Sequence, residues 1–245
     1  MTAGRLIAAF ATALVVVAGL GYAASQSVLQ RPPLTVGQPQ YVEAPSPDAQ
    51  LAPQPGRPSA PTQVDPGWVT DIAAKAGIPV PAVRAYANAQ LSEPRGCEVG
   101  WTTLAGIAWV ESQHGTIDGR TLAADGHSSS PVIGPALDGK DFAAIRATPD
   151  STAWHGDPTW DHAVGPLQFI PSTWKAWGSD GDGDGTADPN DLDDAAFAAA
   201  RYLCADGHDL STGAGWADAV FGYNHDQSYV DSVYAAASAY ASRTK

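Results

Sequence analysis

The stretch WTTLAGIAWVESQHG, residues 101–115, decides the fold. It is mostly apolar or small, follows Gly100 and halts at Gly115, a natural helix stop. The spacing predicts a helix from Gly100 or Trp101 to His114. Leu104, Ile107, Ala108 and Glu111 recur at i, i+3, i+4 and i+7, so one carboxyl lies on the apolar stripe. A carboxyl facing a core is partly desolvated, and the negative end of the helix dipole adds to the effect. Both favour the neutral form, which a general acid at neutral pH requires. The alternative is a Glu that rotates to solvent or pairs with an Arg at a helix end.

Outward from this segment, helical patterns recur between Gly- and Pro-rich loops. Pro66–Ala76 ends at Gly77, and Pro81 opens a second helix through about Leu91. Further turns are expected at Pro171–Trp177, Asp193–Ala205, Ala214–Asn224 and Gln227–Ser242. In the last, Tyr229 or Val230, Val233, Tyr234 and Ala237 recur at helical spacing. No run of alternating apolar residues argues for a sheet of any size. Residues 116–165 have mixed turn residues and little periodicity, and loops of that length are usually functional. The expectation is one all-α domain over residues 66–245, with a large working loop.

The N-terminal part cannot contribute to that core. Residues 6–24, LIAAFATALVVVAGLGYAA, form one apolar run behind a single positive charge. Its length borders on the roughly 20 residues a spanning helix needs. Residues 1–30 are therefore expected to be a signal peptide or a membrane anchor, with Gly21 and Ala23 suiting cleavage after Ala23. Residues 31–65 read as a disordered, Pro-rich linker able to reach roughly 110 Å at about 3.1 Å per residue. The expected location is outside the cell or in the wall, with anchoring to the outer face of the cytoplasmic membrane as an option.

Net charge is −13, and residues 180–194 carry seven of the 26 acidic residues. Nothing resembles a nucleic-acid footprint. Within that run, DGDGDGTADPND (180–191) places Asp180, Asp182 and Asp184 at positions 1, 3 and 5 of a calcium-loop pattern. Gly185 holds position 6, Thr186 can offer its carbonyl from position 7, and Asp191 stands at position 12. The loop departs from the pattern in having Asp rather than Glu at position 12 and only a short helix before it. With no second copy in the chain, bound Ca2+ is expected to brace rather than to signal; the alternative is a solvated Asp/Gly turn. Cys97 and Cys204, the only cysteines, most simply form one disulfide in an exported protein, two buried thiols being the alternative. No HExxH, zinc spacing or GxSxG is present. Gln168, Tyr223 and Asn224 each read, alone, as a packed or capping residue more readily than as a ligand contact.

Taken together, WVESQHG (109–115), VIGPALDG (132–139), AVGPLQFIPSTW (163–174) with the Asp loop behind it, ARYLC (200–204) and GYN (222–224) resemble the lytic murein transglycosylases. The form is the membrane-bound B type of high-GC Gram-positive bacteria, matched in order over about residues 79–240. The resemblance implies a lysozyme-like α-domain with a single catalytic acid/base at Glu111. It implies substrate contacts or acid orientation from Gln168, Tyr202, Tyr223 and Asn224. Its calcium loop falls on Asp180, Asp182, Asp184, Thr186 and Asp191. The implied partner is a peptidoglycan glycan strand, cleaved by a monomer at the MurNAc–GlcNAc β-1,4 bond to leave a 1,6-anhydro-MurNAc end. Residues 140–160 do not follow the expected form, so the groove is expected to differ there. The resemblance also accounts for the lone carboxylate, since ordinary glycosidases need a pair. Two rival readings stand beside it. One is a hydrolytic muramidase using Asp157 or Asp161 to activate water; the other is a non-catalytic, calcium-braced peptidoglycan-binding module.

Overall fold

In a computed structural model of the chain, the described residues are 44–49, 63–92, 97–140, 143–205 and 207–245. The apolar run 6–24 and most of the Pro-rich linker lie outside them, as does any anchoring or cleavage expected there. Among the described residues no helix is long and apolar enough to cross a membrane.

Eight helices and one small sheet appear among these residues. In chain order they are α1 (Pro66–Ala76), α2 (Val80–Leu91), α3 (Trp101–Ser112), β1 (Ile133–Ala136), α4 (Pro149–His155), β2 (His162–Val164), α5 (Pro171–Trp177), α6 (Leu192–Leu203), α7 (Gly213–Tyr223) and α8 (Gln227–Arg243). Local chemistry sets the ends. Asp65 caps α1 by accepting from Trp68 N, Pro66 fits the first turn, and Gly77 ends it in the left-handed region. Asp191, Thr212 and Asp226 cap α6, α7 and α8 in the same manner. A reciprocal Thr148–Ser151 capping box opens α4.

The central element is α3, packed chiefly on α8 and also on α2. Its Trp101, Leu104 and Ile107 are fully buried, and burial extends round nearly the whole helix; Trp109 is the exception, at 47% exposed. The apolar stripe expected from sequence is therefore a whole buried circumference, as for a helix enclosed by others. The alanine-rich α6 lies against α2, its small side chains allowing close approach.

Three sequence expectations need correction. First, α3 stops at Ser112 rather than His114: Gln113, His114 and Gly115 all take positive φ, so the chain leaves the helical path two residues early. Second, the fold is mostly helical rather than all-α. β1 and β2 pair antiparallel within the 116–165 stretch, as strands of four and three residues, too short to show a period of two. Third, part of the linker is docked. Pro47 is buried, Trp101 Nε1 donates to Pro45 O at 3.0 Å, Asp65 N donates to Asp48 O at 2.7 Å, and Ala49 bridges Val64. Trp101 is a large buried ring whose N–H needs an acceptor, and the linker backbone supplies it.

Cys97 and Cys204 form the expected disulfide, with Cα atoms 5.7 Å apart. It ties the approach to α3 to the end of α6.

Candidate active site

Glu111 sits one residue before the end of α3 and is 2% exposed. Tyr229, from the first turn of α8, donates its hydroxyl to Glu111 Oε1 at 2.6 Å. Oε2 is buried with no hydrogen-bond partner among the described residues. Burial pushes the Glu111 carboxyl from its ordinary value of 4.5 up to about 8, against the downward pull of the Tyr229 hydrogen bond. A carboxyl in this state is neutral at pH 7, with one oxygen held and the other buried without a partner among the described residues.

The segment after α3 fixes that carboxyl in space. Ser112, fully buried, donates its hydroxyl to Pro166 O at 2.5 Å and accepts from Gly115 N at 2.8 Å. His114 is buried between two tyrosine hydroxyls, Tyr86 and Tyr240, at 3.0 Å on each ring nitrogen. Burial drives its pKa down to about 3, so the ring stays neutral and serves as a cross-brace. Pro166 belongs to the tight turn Gly165–Gln168. Gly165 has φ +78, and a Cβ there would stand 1.7 Å from Pro189 O, so only glycine lets the turn meet the acidic loop.

The residues expected to touch substrate surround this turn. Tyr223, at the end of α7, donates to Leu167 O at 2.9 Å and lies within electrostatic reach of Glu111. Tyr202, on α6, donates to Gly222 O at 2.9 Å. The two rings meet edge-on at 5.7 Å, with Phe169 against Tyr223 and Trp177 against Tyr202. Gln168, Phe169, Thr173, Tyr202 and Tyr223 line one narrow cleft. Asn224 is buried with Oδ1 unpartnered among the described residues. Gln168 lines the cleft from a left-handed turn position. Its φ is +49, and its amide nitrogen donates to Gly165 O at 2.8 Å and Val132 O at 3.2 Å. Both donors are thus committed to backbone, and Gln168 braces the turn.

A larger cavity, about 480 Å³, opens between α1, α2 and the acidic loop. Its charged groups are Arg84 and Asp193, paired with each other, and the carboxylates of Asp125 and Asp182.

In the acidic loop, Asp180 accepts from Gly183 N and Gly185 N, Asp182 from Asp184 N, and Asp184 from Thr186 N. Carboxylate oxygens of Asp180, Asp182 and Asp194 lie within 4.8 Å of one another. Asp191, expected to close the loop, is not in that group. Its carboxylate caps α6 by accepting from Asp193 N at 2.7 Å and faces His127. Asp194, in the first turn of α6, points back over the loop, accepting from Gly181 N at 2.6 Å and Asp188 N at 2.8 Å. Burial and the neighbouring Asp182 and Asp180 push its carboxyl up to about 6. Three hard oxygen donors converging in this way suit a hard divalent cation such as Ca2+. Asp184 and Thr186 lie on the same loop outside that trio.

Sequence reasoning missed Tyr229, Ser112, His114 and Asp194 as site residues. Tyr229 carried a readable signal, because a hydroxyl on the apolar stripe of a buried helix needs a partner inside. Asp194 carried another, lying one helical turn beyond a capping Asp.

Residues 150–228 match the family model described as a transglycosylase SLT domain. That stretch holds Gln168, Tyr202, Tyr223, Asn224 and the acidic loop, while Glu111 and Tyr229 lie outside it. Among solved structures, the Escherichia coli lytic transglycosylase Slt35 in complex with bulgecin A is similar at 16% identity. The alignment covers 74% of this chain and 76% of that one with a TM-score of 0.44. No curated protein matches. The domain match supports a peptidoglycan lytic transglycosylase.

Proposed function

We propose that the protein cleaves the MurNAc–GlcNAc β-1,4 bond of peptidoglycan with Glu111 as sole acid and base, leaving 1,6-anhydro-MurNAc ends. The observation that carries this reading is Glu111 itself: buried, pushed up to about 8, with Tyr229 on one oxygen and the other without a partner. Neutral Glu111 gives its proton to the glycosidic oxygen as that bond breaks. The 2-acetamido group or the ring oxygen carries the developing positive charge. The glutamate, now ionised, takes the proton of the MurNAc 6-hydroxyl as that oxygen bonds C1. No water is consumed, and Glu111 returns to its neutral form. Tyr229 stabilises the transient carboxylate by a charge-assisted hydrogen bond. The tyrosine cleft beside the Gly165–Gln168 turn is the reading's glycan groove, with Tyr202, Tyr223 and Asn224 as contacts.

The family form we favour is the membrane-bound B type of high-GC Gram-positive bacteria, exported and acting on wall glycan as a monomer, anchored or free. Calcium is proposed as a brace held by Asp180, Asp182 and Asp194, with Asp184 and the Thr186 carbonyl as the remaining loop candidates. Bound there, the ion would supply charge neutralisation between the Gly165 turn and α6.

Two observations weigh against the hydrolytic rival. Asp161 is buried and accepts from Ser151 and His155, and Asp157 accepts from Thr159 N, Trp160 N and His162. Both are engaged in local hydrogen bonds, whereas Glu111 Oε2 has no partner among the described residues. Mass spectrometry of muropeptides released from purified peptidoglycan, with Glu111→Gln as control, tests the proposal. Fragments lighter by one water than hydrolytic products, absent in the control, are expected. Full-weight reducing ends would mean a hydrolase, and no release from the folded, calcium-loaded protein would favour a binding module.

A further inference from the structure

Helix α3 is enclosed almost all the way round and opens to solvent near its C-terminal end. Trp109 is 47% exposed, Val110 is partly buried against the core, and Gln113, the residue that caps the helix, is exposed. The backbone N–H of Gln113 donates to Trp109 O at 3.1 Å, so the two residues stand one turn apart on one face. At 3.6 residues per turn, Glu111 lies about 200° round the helix from Trp109. This face is therefore turned away from the acid.

The backbone beyond α3 shows that Gln113 is not there for the fold. Three successive residues take positive φ: Gln113 at 54°, His114 at 63° and Gly115 at 79°. Glycine adopts that conformation freely, and a Cβ on Gly115 would stand 2.5 Å from Ser128 Oγ. At His114 the strain is offset by two buried hydrogen bonds, with Tyr86 and Tyr240. Gln113 has no such compensation, because its side-chain amide makes no hydrogen bond among the described residues. Gly or Asn is the usual residue in a left-handed cap. A glutamine here keeps local strain for a side chain the protein itself does not use. Trp109 is held in place beside it. Its ring meets the His114 ring at 5.8 Å and 47°, while nearly half of the residue stays in water.

Resting on the transglycosylase reading, we propose that Trp109 and Gln113 form a second glycan-binding site, separate from the cleft, that holds a peptidoglycan strand through an N-acetylated sugar. The C–H face of a pyranose ring packs on an indole, and a primary amide offers donors and an acceptor to the 2-acetamido group that each sugar of the strand carries. Neither side chain is charged. With a net charge of −13 the chain has no long-range attraction to an anionic polymer, so retention depends on short-range uncharged contacts of this kind. Such a site keeps the enzyme on insoluble substrate between cleavages without touching the reacting bond.

The first readout is co-sedimentation of the full chain, carrying Glu111→Gln to prevent cleavage, with purified insoluble peptidoglycan. Trp109→Ala should weaken retention about two- to tenfold, the range for one lost aromatic contact, and Trp109→Tyr should recover most of it. Gln113→Ala keeps a side chain on the left-handed backbone and should weaken retention about two- to tenfold at an unchanged melting temperature. Gln113→Gly should weaken retention equally while raising the melting temperature, because the strain leaves with the side chain. The second readout uses the same substitutions with Glu111 intact. They should cleave a soluble GlcNAc–MurNAc tetrasaccharide at the wild-type rate, which also reports an intact fold, and clear insoluble peptidoglycan more slowly. Unchanged retention in either alanine variant overturns the proposal. So does an equal loss on soluble and insoluble substrate, which would move both residues into the cleft. Retention does not depend on turnover, so a wild type held through Trp109 that never cleaves would overturn the proposed reaction and leave the second site standing.

Discussion

Glu111 and Asp194 bear the same functional group in opposite surroundings. Glu111 has one oxygen on a tyrosine hydroxyl and the other on nothing, and it is neutral at pH 7 because burial makes ionisation costly. Asp194 has backbone N–H groups on both oxygens, Gly181 on one and Asp188 on the other, and like-charged Asp180 and Asp182 beside it. Amides that donate to a carboxylate favour its charged form, while the neighbouring charges oppose it. On the proposed reading, one carboxyl loses and regains a proton and the other meets a cation. The disulfide from the approach to α3 to the end of α6 ties the two regions together.

The strongest way to break this contrast is Glu111→Gln. Cleavage should fall by on the order of 10⁴-fold, because the proposed mechanism uses the same carboxyl as acid and then as base. The wild-type rate should fall as pH rises through about 8, where the acid ionises. Stability should move the other way. A carboxyl whose folded pKa exceeds its unfolded value costs the fold stability increasingly as pH climbs from about 4.5 to about 8. Thermal melts should therefore show Glu111→Gln more stable than wild type at pH 8 and little different at pH 4. An equal pH dependence in both proteins would mean that Glu111 is solvated.

Second in size is the tie itself. Cys97 and Cys204 close a loop of 107 residues, for which chain entropy suggests about 4–5 kcal/mol of stabilisation. The double Cys→Ser variant should lose about that much in denaturant melts, while Glu111 in the surviving folded fraction keeps its pH profile. A changed profile would show that the bridge tunes the acid as well as holding the fold. Tyr229→Phe is next, with an activity loss of about 10- to 150-fold, since hydrogen bonds to charged groups contribute about 1.5–3 kcal/mol. Its alkaline limb should shift upward, because the lost bond is the one that lowers the Glu111 pKa.

Legibility in the sequence followed the range of the interactions. Helices α1, α2 and α5 were readable almost to the residue, because Asp65, Pro66, Gly77, Pro81 and Pro171 act on backbone within a turn. The burial of Glu111 agrees with its helical spacing, although α3 is enclosed on nearly every side rather than along one stripe. The β1–β2 hairpin was not readable, since IGPA and HAV are held by register against one another and by His162, with no periodicity of their own. Gln168 was expected at the site and lines the cleft, but the positive φ that ties its amide to Gly165 and Val132 is announced by no residue pattern. Tyr229 sat in plain view as one of several core positions on α8. Only the approach of α8 to α3 makes it the partner of the acid.

The smallest effect sharpens the comparison most, because it separates two aspartates three residues apart. Asp191→Asn keeps an N-cap of comparable strength for α6 and leaves the three converging carboxylates untouched. It should lower the melting temperature little and preserve any rise produced by calcium. Asp194→Asn removes one charge from the converging trio and so weakens the site for a hard divalent cation. In calcium-free buffer this variant loses like-charge repulsion with Asp180 and Asp182 but sets its amide NH2 against the N–H of Gly181 or Asp188, so calcium effects are read against each protein's own calcium-free melt. In calcium it should lose most of the stabilisation that wild type gains by mass action. Melting curves of the three proteins with and without calcium decide the matter. The reverse pattern, with Asp191→Asn blind to calcium, would return the loop to closure at its twelfth position and leave Asp194 as a support for backbone amides.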